Sequence, residues 1–195
     1  MRKKGKNLAN PYLQKSYLFE DKEYNSYNAC IFLSHISEDK EKVKRIGEYI
    51  QNAGFDIYLD IYDSELQVAA DNGDHEAITK CIENGIKAST HIMCVISEET
   101  KKKGSWWVPY EIGFGKSSSV HVSSLLLKEF DTSKIPSYLF ISDIIYGAKS
   151  LNEFLLKVYK ESSSLLEKSY AKHYPNIVKH NAMPHPLDNY LDWQA

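Results

Sequence analysis

The chain has 195 residues, of which 43% are hydrophobic and 26% are charged, proportions that are ordinary for a globular protein with one core. Lys and Arg number 24 against 26 Asp and Glu, so the formal charge is −2, which argues against broad nucleic-acid binding. The basic N-terminus is not followed by an apolar stretch of signal-peptide length, and no later run could span a bilayer. We therefore expect a cytoplasmic protein without a membrane partner.

Three cysteines, Cys30, Cys81 and Cys94, lie far apart among apolar neighbours. Their odd number and spacing favour reduced, buried thiols over a disulfide framework. The seven histidines are scattered, and His180 with His185 lacks the companions of a metal site. We expect no metal.

The chain divides into three parts by pattern. Residues 1–27 show no sustained period and are interpreted as an extension or loosely packed arm outside the sheet. Residues 28–168 alternate between apolar runs and helical patterns, which predicts one domain. Residues 169–195, rich in His, Pro and aromatic side chains, have no clear period and are expected to wrap the domain or mediate contacts.

Short apolar runs predict five strands, at residues 29–33, 55–59, 92–96, 122–127 and 138–141. Helical spacing predicts helices between them, the first capped by Ser37 and ending at Gly54, and the others at 78–86, 107–116 and 151–165. The polar residues 60–74 are interpreted as a long loop. This order predicts an α/β fold of flavodoxin-like, three-layer form, with a mostly parallel five-stranded sheet in the order 2-1-3-4-5.

In such a sheet a ligand binds outside the carboxyl ends of the strands, where the strand order reverses between the first and third strands. The first strand ends at Ser34 and His35, and the third ends at Ser97. Trp107 and Glu111 follow on a helix at i, i+4 spacing, which places both on one helical face. We expect these residues to surround one crevice.

A carboxylate beside a large aromatic ring is partly desolvated, which strengthens its interaction with a nearby positive charge. This environment suits the oxocarbenium-like sugar that forms when an N-ribosyl bond breaks. The alternative is a purely structural role for both residues, in which Glu111 is a solvated surface residue and Trp107 packs in the core. The spacing alone leaves both interpretations open.

Two other nucleotide-binding patterns are excluded. Residues 113–117 read GFGKS, but a Walker loop would need glycine where Tyr110 stands and would follow a strand. A dinucleotide-binding fingerprint would need glycines after the first strand, where Ser34-His35-Ile36-Ser37 has none. The serine ends of the first and third strands also argue against a phospho-receiver.

Several segments together resemble the Toll/interleukin-1 receptor (TIR) domain over residues 28–167. They are IFLSH at 31–35, CVIS at 94–97 and SWWVPYEI at 105–112. The last contains the W-x-x-x-E element of the family, from Trp107 to Glu111, and its form is most similar to the TIR proteins of bacterial Thoeris antiphage defence.

The resemblance implies that Glu111 is the catalytic residue of an enzyme that uses NAD+ as a substrate and needs no cofactor. It nominates Ser34, His35 and Ser97 as substrate-binding residues beside Trp107. It also implies self-association through TIR surfaces, with residues 60–74 taking part in assembly, and a nucleotide product, linear or cyclic, that reaches a separate effector.

The sequence departs from the family by having no basic residue directly after the first strand, so His35 is expected to stack or hydrogen-bond there instead. Lys101, Lys102 and Lys103 are interpreted as a solvated run that could attract a pyrophosphate. Two alternatives stay open at this point, a non-enzymatic TIR scaffold and an enzyme similar to nucleoside deoxyribosyltransferases.

Overall fold

The computed structural model describes residues 4–10, 29–104, 106–164 and 184–193. Its centre is a five-stranded sheet in which every neighbouring pair is parallel and the order is β2-β1-β3-β4-β5. The strands are β1 (Cys30–Ser34), β2 (Asp56–Tyr58), β3 (His91–Ile96), β4 (His121–Leu126) and β5 (Asp143–Ile145). The predicted fold class and strand order are therefore confirmed.

Six α-helices are described between and after the strands. They are α1 (Lys40–Asn52), α2 (Ser64–Asp71), α3 (His75–Lys87), α4 (Glu98–Lys103), α5 (Trp107–Ser117) and α6 (Ala148–Ser164). Within the described ranges, no helix is both long enough and apolar enough to cross a membrane.

The sheet separates two hydrophobic clusters, which gives the three layers. On one face, α1 and α6 bury side chains such as Ile46 and Leu155 against β1 and β3. On the other face, α3 and α5 bury Ile86 and Ile112. β1 and β3 are buried along their whole length, as strands covered by helices on both faces should be. The carboxyl ends of β1 and β3 therefore lie between the two helical layers.

The predicted long loop at residues 60–74 is wrong. The segment contains a 3₁₀ turn, Asp60–Tyr62, followed by α2. Asp63 begins α2 as an N-cap, because its Oδ1 accepts hydrogen bonds from the amides of Glu65 and Leu66. Only Ala69 is buried along α2, so the helix lacks the apolar stripe by which periodicity would have revealed it.

The predicted strand at residues 138–141 is also wrong. A 3₁₀ turn, Ser137–Ile141, follows Pro136, and the edge strand β5 comes two residues later. Leu139 is buried whereas Phe140 and Ile141 are exposed, and three apolar residues in a row do not show the alternation of a half-buried strand. The apolar residues 138–141 therefore belong to a turn that buries only the Leu139 side chain.

The first helix begins later than predicted. Ser37 lies in a 3₁₀ turn, Ser37–Asp39, without a capping hydrogen bond from its side chain, and α1 starts at Lys40. The apolar positions Val43, Ile46 and Ile50 face the core as predicted.

Part of the N-terminal arm contacts the sheet, contrary to the prediction. Asn7 forms a parallel bridge with Ile57 of β2, and the amide of Leu8 donates to the Ile57 carbonyl at 2.8 Å. A Cβ on Gly5 would lie 1.6 Å from the carbonyl oxygen of Phe55, so only glycine permits this approach. The described residues of the arm, 4–10, include only two apolar side chains, Leu8 and Ala9, so no hydrophobic period predicted this contact.

The described residues of the C-terminal extension, 184–193, pack on the face covered by α1 and α6. Leu187 and Leu191 are buried in that cluster. His185 is buried, and its Nε2 lies 3.1 Å from the Tyr49 hydroxyl of α1. His180 and the helix end predicted at Leu165 lie outside the described residues. Cys30 and Cys94 are buried thiols, while Cys81 is partly exposed.

Candidate active site at the carboxyl ends of β1 and β3

The carboxyl ends of β1 and β3 are brought together by the sheet register, in which Ser34 pairs with Cys94. Helix α5 brings Glu111 to the same place. The helix lies close to β3 because position 115 is glycine: a Cβ there would meet Cδ1 of the buried Ile92 at 2.2 Å. A larger residue would push α5 away from the sheet, so Gly115 helps to set the position of Glu111.

Glu111 is a buried carboxyl group joined to β1. The Ser34 hydroxyl donates a hydrogen bond to its Oε2, and Glu111 is only 5% exposed. Burial raises the pKa of Glu111 to about 8, and the charge of Asp60 adds to this, whereas the Ser34 hydrogen bond acts in the opposite direction. Burial therefore favours the protonated form of Glu111.

Cys94 is a further member of this group that sequence reasoning placed only in the core. Its thiol is fully buried, with hydrogen bonding to Ser34 and the charge of Glu111 nearby. Burial, and secondarily Glu111, raise the pKa of the Cys94 thiol well above its usual range. The thiol therefore stays neutral and adds no charge near the Glu111 carboxyl group.

His35 directly follows Ser34 at the end of β1, and Asp60 comes two residues after the end of β2. The Nδ1 atom of His35 is 3.1 Å from the Leu33 carbonyl oxygen and 3.8 Å from Oδ1 of Asp60. Burial raises the pKa of Asp60, and the nearby His35 opposes this shift. Sequence reasoning missed Asp60 because it assigned the whole segment from residue 60 to a loop, although its place directly after a strand was the available signal.

Ser97 has a structural role in the described chain. Its hydroxyl donates to Oδ2 of the fully buried Asp39 and accepts from the amide of Thr100 at 3.2 Å, which caps α4. The Thr100 side chain in turn accepts from the Ser97 amide, which completes a capping box. The single hydroxyl proton of Ser97 is therefore committed to Asp39, and its role in substrate binding stays a prediction.

Trp107 does not share the buried environment of Glu111. It is 42% exposed and lies edge-on to Tyr110, with ring centroids 5.8 Å apart. Its neighbour Trp106 is 90% exposed. Glu111 is therefore buried against the strand ends, while Trp107 forms part of an aromatic surface on α5 with Tyr110. The role of Trp107 in substrate binding stays a prediction.

The lysine run on α4 is paired with glutamates. Lys101 and Lys102 bind Glu98 and Glu99 at 3.1 and 2.8 Å. Lys103 contacts Glu38. These exposed pairs neutralise much of the local charge, so the run is a weaker candidate for holding a pyrophosphate than its sequence suggested.

Three of the predicted site residues lie together, because Ser34 binds Glu111 and His35 directly follows Ser34. Two further residues belong to this group: Cys94 bonds to Ser34, and Asp60 lies near His35. A profile of the TIR domain matches residues 31–146, a range that includes all five. The chain belongs to the TIR domain family.

One curated relative is similar over a large part of both chains. It is the probable 3′ cyclic ADP-D-ribose synthase ThsB′ of Bacillus cereus (strain MSX-D12), which is 27% identical over 144 residues. The match covers 65% of this chain and 72% of the relative. The similarity supports a Thoeris-like TIR protein that processes NAD+ at the level of the family.

Proposed function

We propose that this chain breaks the bond between nicotinamide and ribose in NAD+, with Glu111 as the catalytic carboxylate. The observation that carries the proposal is the buried Glu111 carboxyl group, bonded to Ser34 at the carboxyl ends of the central strands. Membership of the TIR family and the similarity to the Bacillus protein named as a probable cyclic ADP-D-ribose synthase support the same chemistry.

The raised pKa of Glu111 fits a cationic substrate. The nicotinamide ring of NAD+ is positively charged, and a cation within a few ångströms favours the ionised carboxylate. Entry of the ring therefore lowers the pKa of Glu111 from about 8 and creates the anion where it is needed. As the glycosidic bond breaks, positive charge moves to the ribose, and the carboxylate stabilises it.

The leaving group explains how a single carboxylate can suffice. Nicotinamide departs from a ring that already carries a positive charge, so no general acid has to protonate it. Ser34 orients the carboxylate through its hydrogen bond, and the neutral thiol of Cys94 adds no charge near it. The product is an ADP-ribose derivative, and the name of the Bacillus relative makes a cyclic form the first candidate. We propose that this product signals to a separate effector in antiphage defence.

The test is nicotinamide release from NAD+ by the purified chain, alone and with an extract of phage-infected cells as a source of an activating signal. Glu111→Gln should reduce turnover roughly 10²-fold or more. The exposed Glu153 of α6 gives a matched control, Glu153→Gln, which should retain full turnover.

Mass spectrometry of the products separates the alternatives. A linear or cyclic ADP-ribose supports the proposal. Full turnover by a correctly folded Glu111→Gln variant contradicts the role of Glu111. Base exchange on nucleosides would favour a deoxyribosyltransferase-like enzyme, and no nicotinamide release by the wild-type chain under either condition would favour a scaffold.

A further inference from the structure

His35 directly follows Ser34, the hydrogen-bond partner of Glu111, and only one of its two ring nitrogens has a hydrogen-bond partner within the described residues. Its side chain is only 4% exposed, and Nδ1 lies 3.1 Å from the Leu33 carbonyl oxygen. A carbonyl oxygen can only accept a hydrogen bond, so the proton of the neutral ring sits on Nδ1. The lone pair is then on Nε2, the atom that can take up a proton.

Asp60 is placed to hold the charge that would follow. Its Oδ1 is buried and lacks a hydrogen-bond partner within the described residues. This oxygen is 3.8 Å from Nδ1 of His35, which is too long for a hydrogen bond but close enough for an ion pair. A buried acceptor without a donor is costly, and protonation of His35 would offset that cost.

We propose that His35 is the general base of the reaction and that Asp60 is its positioning residue, an inference that rests on the proposed function. The bond between C1′ of the ribose and the nicotinamide nitrogen breaks, and its electron pair leaves with nicotinamide. An oxygen nucleophile forms the new bond to C1′ and gives its proton to Nε2 of His35. Water as the nucleophile yields ADP-ribose, and a hydroxyl of the same nucleotide yields a cyclic product.

The division of labour follows from the arrangement. Glu111 stabilises the ribosyl cation, while His35 takes the proton of the attacking oxygen and Asp60 stabilises the imidazolium, as the carboxylate does in a Ser-His-Asp triad. Charges that act on the His35–Asp60 pair come from Asp63, Lys40 and Glu111. Asp63 and Lys40 lie at the starts of α2 and α1, so the pair has both signs of charge around it.

The experiment compares His35→Asn and Asp60→Asn with the wild-type chain in nicotinamide release across pH 5 to 9, with and without sodium azide. Asparagine at position 35 keeps a donor for the Leu33 carbonyl but cannot accept the proton. His121→Asn is the matched control, because His121 begins β4 at the opposite end of the sheet. Azide is an anion and attacks C1′ without a base.

We expect His35→Asn to lose roughly 10²-fold or more in turnover and to regain it with azide as an ADP-ribosyl azide. Asp60→Asn should lower kcat with little change in KM, because the imidazolium loses its partner in the transition state. His121→Asn should match the wild type.

Each of the other outcomes overturns either this inference alone or the proposed function together with it. Wild-type turnover and pH profile in His35→Asn overturn the general base and leave Glu111 untouched. A slow His35→Asn variant that azide does not restore assigns His35 a structural role, which also overturns the inference. No nicotinamide release by the wild-type chain overturns the proposed function and this inference with it.

Discussion

Ser34 and Glu111 are 77 residues apart in the chain and share one hydrogen bond, from the Ser34 hydroxyl to the Glu111 carboxyl group. Both side chains are buried. The bond therefore links the end of β1 to α5, and it is the contact that most directly tunes the proposed catalytic group.

Replacing Ser34 should shift the pH dependence of turnover. The hydroxyl favours the ionised carboxylate, so Ser34→Ala should raise the pKa of Glu111 further above its ordinary value. The acidic limb of nicotinamide release should then move to higher pH. Ser124→Ala is the control, because Ser124 is an equally buried strand serine bonded to Ser142. An unchanged limb in Ser34→Ala would contradict the role of the bond.

Glu111→Gln should stabilise the fold increasingly as pH rises. Folding raises the pKa of Glu111 from 4.5 to about 8, so between these values the native state holds a proton that the unfolded state has lost. Wild-type stability therefore falls with rising pH by at most about 1.4 kcal/mol per pH unit from this group. Thermal melts at pH 5 and pH 8 should show a larger advantage of the variant at pH 8. An advantage of equal size at both values would refute the shift.

Ser97→Ala should lower stability and leave substrate affinity unchanged. The variant loses the cap of α4 and removes a donor from the buried Asp39, at a cost of roughly 1–3 kcal/mol. Chemical denaturation measures this, with the exposed Ser117→Ala on α5 as control. A rise of several-fold in KM for NAD+ would instead show that Ser97 contacts the substrate.

Trp107→Ala should be mild in a thermal melt. The ring is half exposed and its main aromatic contact is the edge of Tyr110, so we expect a loss of roughly 0.5–1.5 kcal/mol rather than the 3–5 kcal/mol or so of a core aromatic. Trp106→Ala, which removes an almost fully exposed ring, is the control for stability. A larger loss from Trp107→Ala would place its ring in the core, and a rise in KM alone would place it at the substrate.

Leu187→Ala should show that the C-terminal residues belong to the folded domain. The side chain is buried in the cluster under α1 and α6, so its truncation should cost about 2–5 kcal/mol. Denaturant unfolding measures the change, and Asn189→Ala at a neighbouring exposed position should be nearly neutral. Equal stability of both variants would mean that residues 184–193 form a separable tail.

The sequence predicted those parts of the structure in which one local signal decides the outcome. Fully apolar runs predicted β1 and β3 because strands covered on both faces must be apolar throughout. The same reasoning failed at residues 138–141, where a proline-led turn packs only Leu139, and at α2, whose formation depends on the Asp63 cap more than on an apolar stripe.

At the candidate site, strand ends predicted Ser34 and His35, and the helix after β3 predicted Glu111. Other features depended on contacts between distant segments. The burial of Glu111, the engagement of Ser97 by Asp39 across 58 positions, and the approach of Asp60 to His35 are set by packing, which periodicity cannot report. Its burial is what distinguishes Glu111 from an ordinary surface glutamate.

The N-terminal segment has a consequence for how copies of the chain can meet. The outer side of β2 receives backbone hydrogen bonds from the protein's own residues, because Ile57 donates to the Lys6 carbonyl at 2.9 Å and accepts from Leu8. An uncovered edge strand invites another chain to extend the sheet. Here a second copy could add a strand beside β2 only by first displacing this segment, so the arm protects that edge against strand exchange and fibre growth.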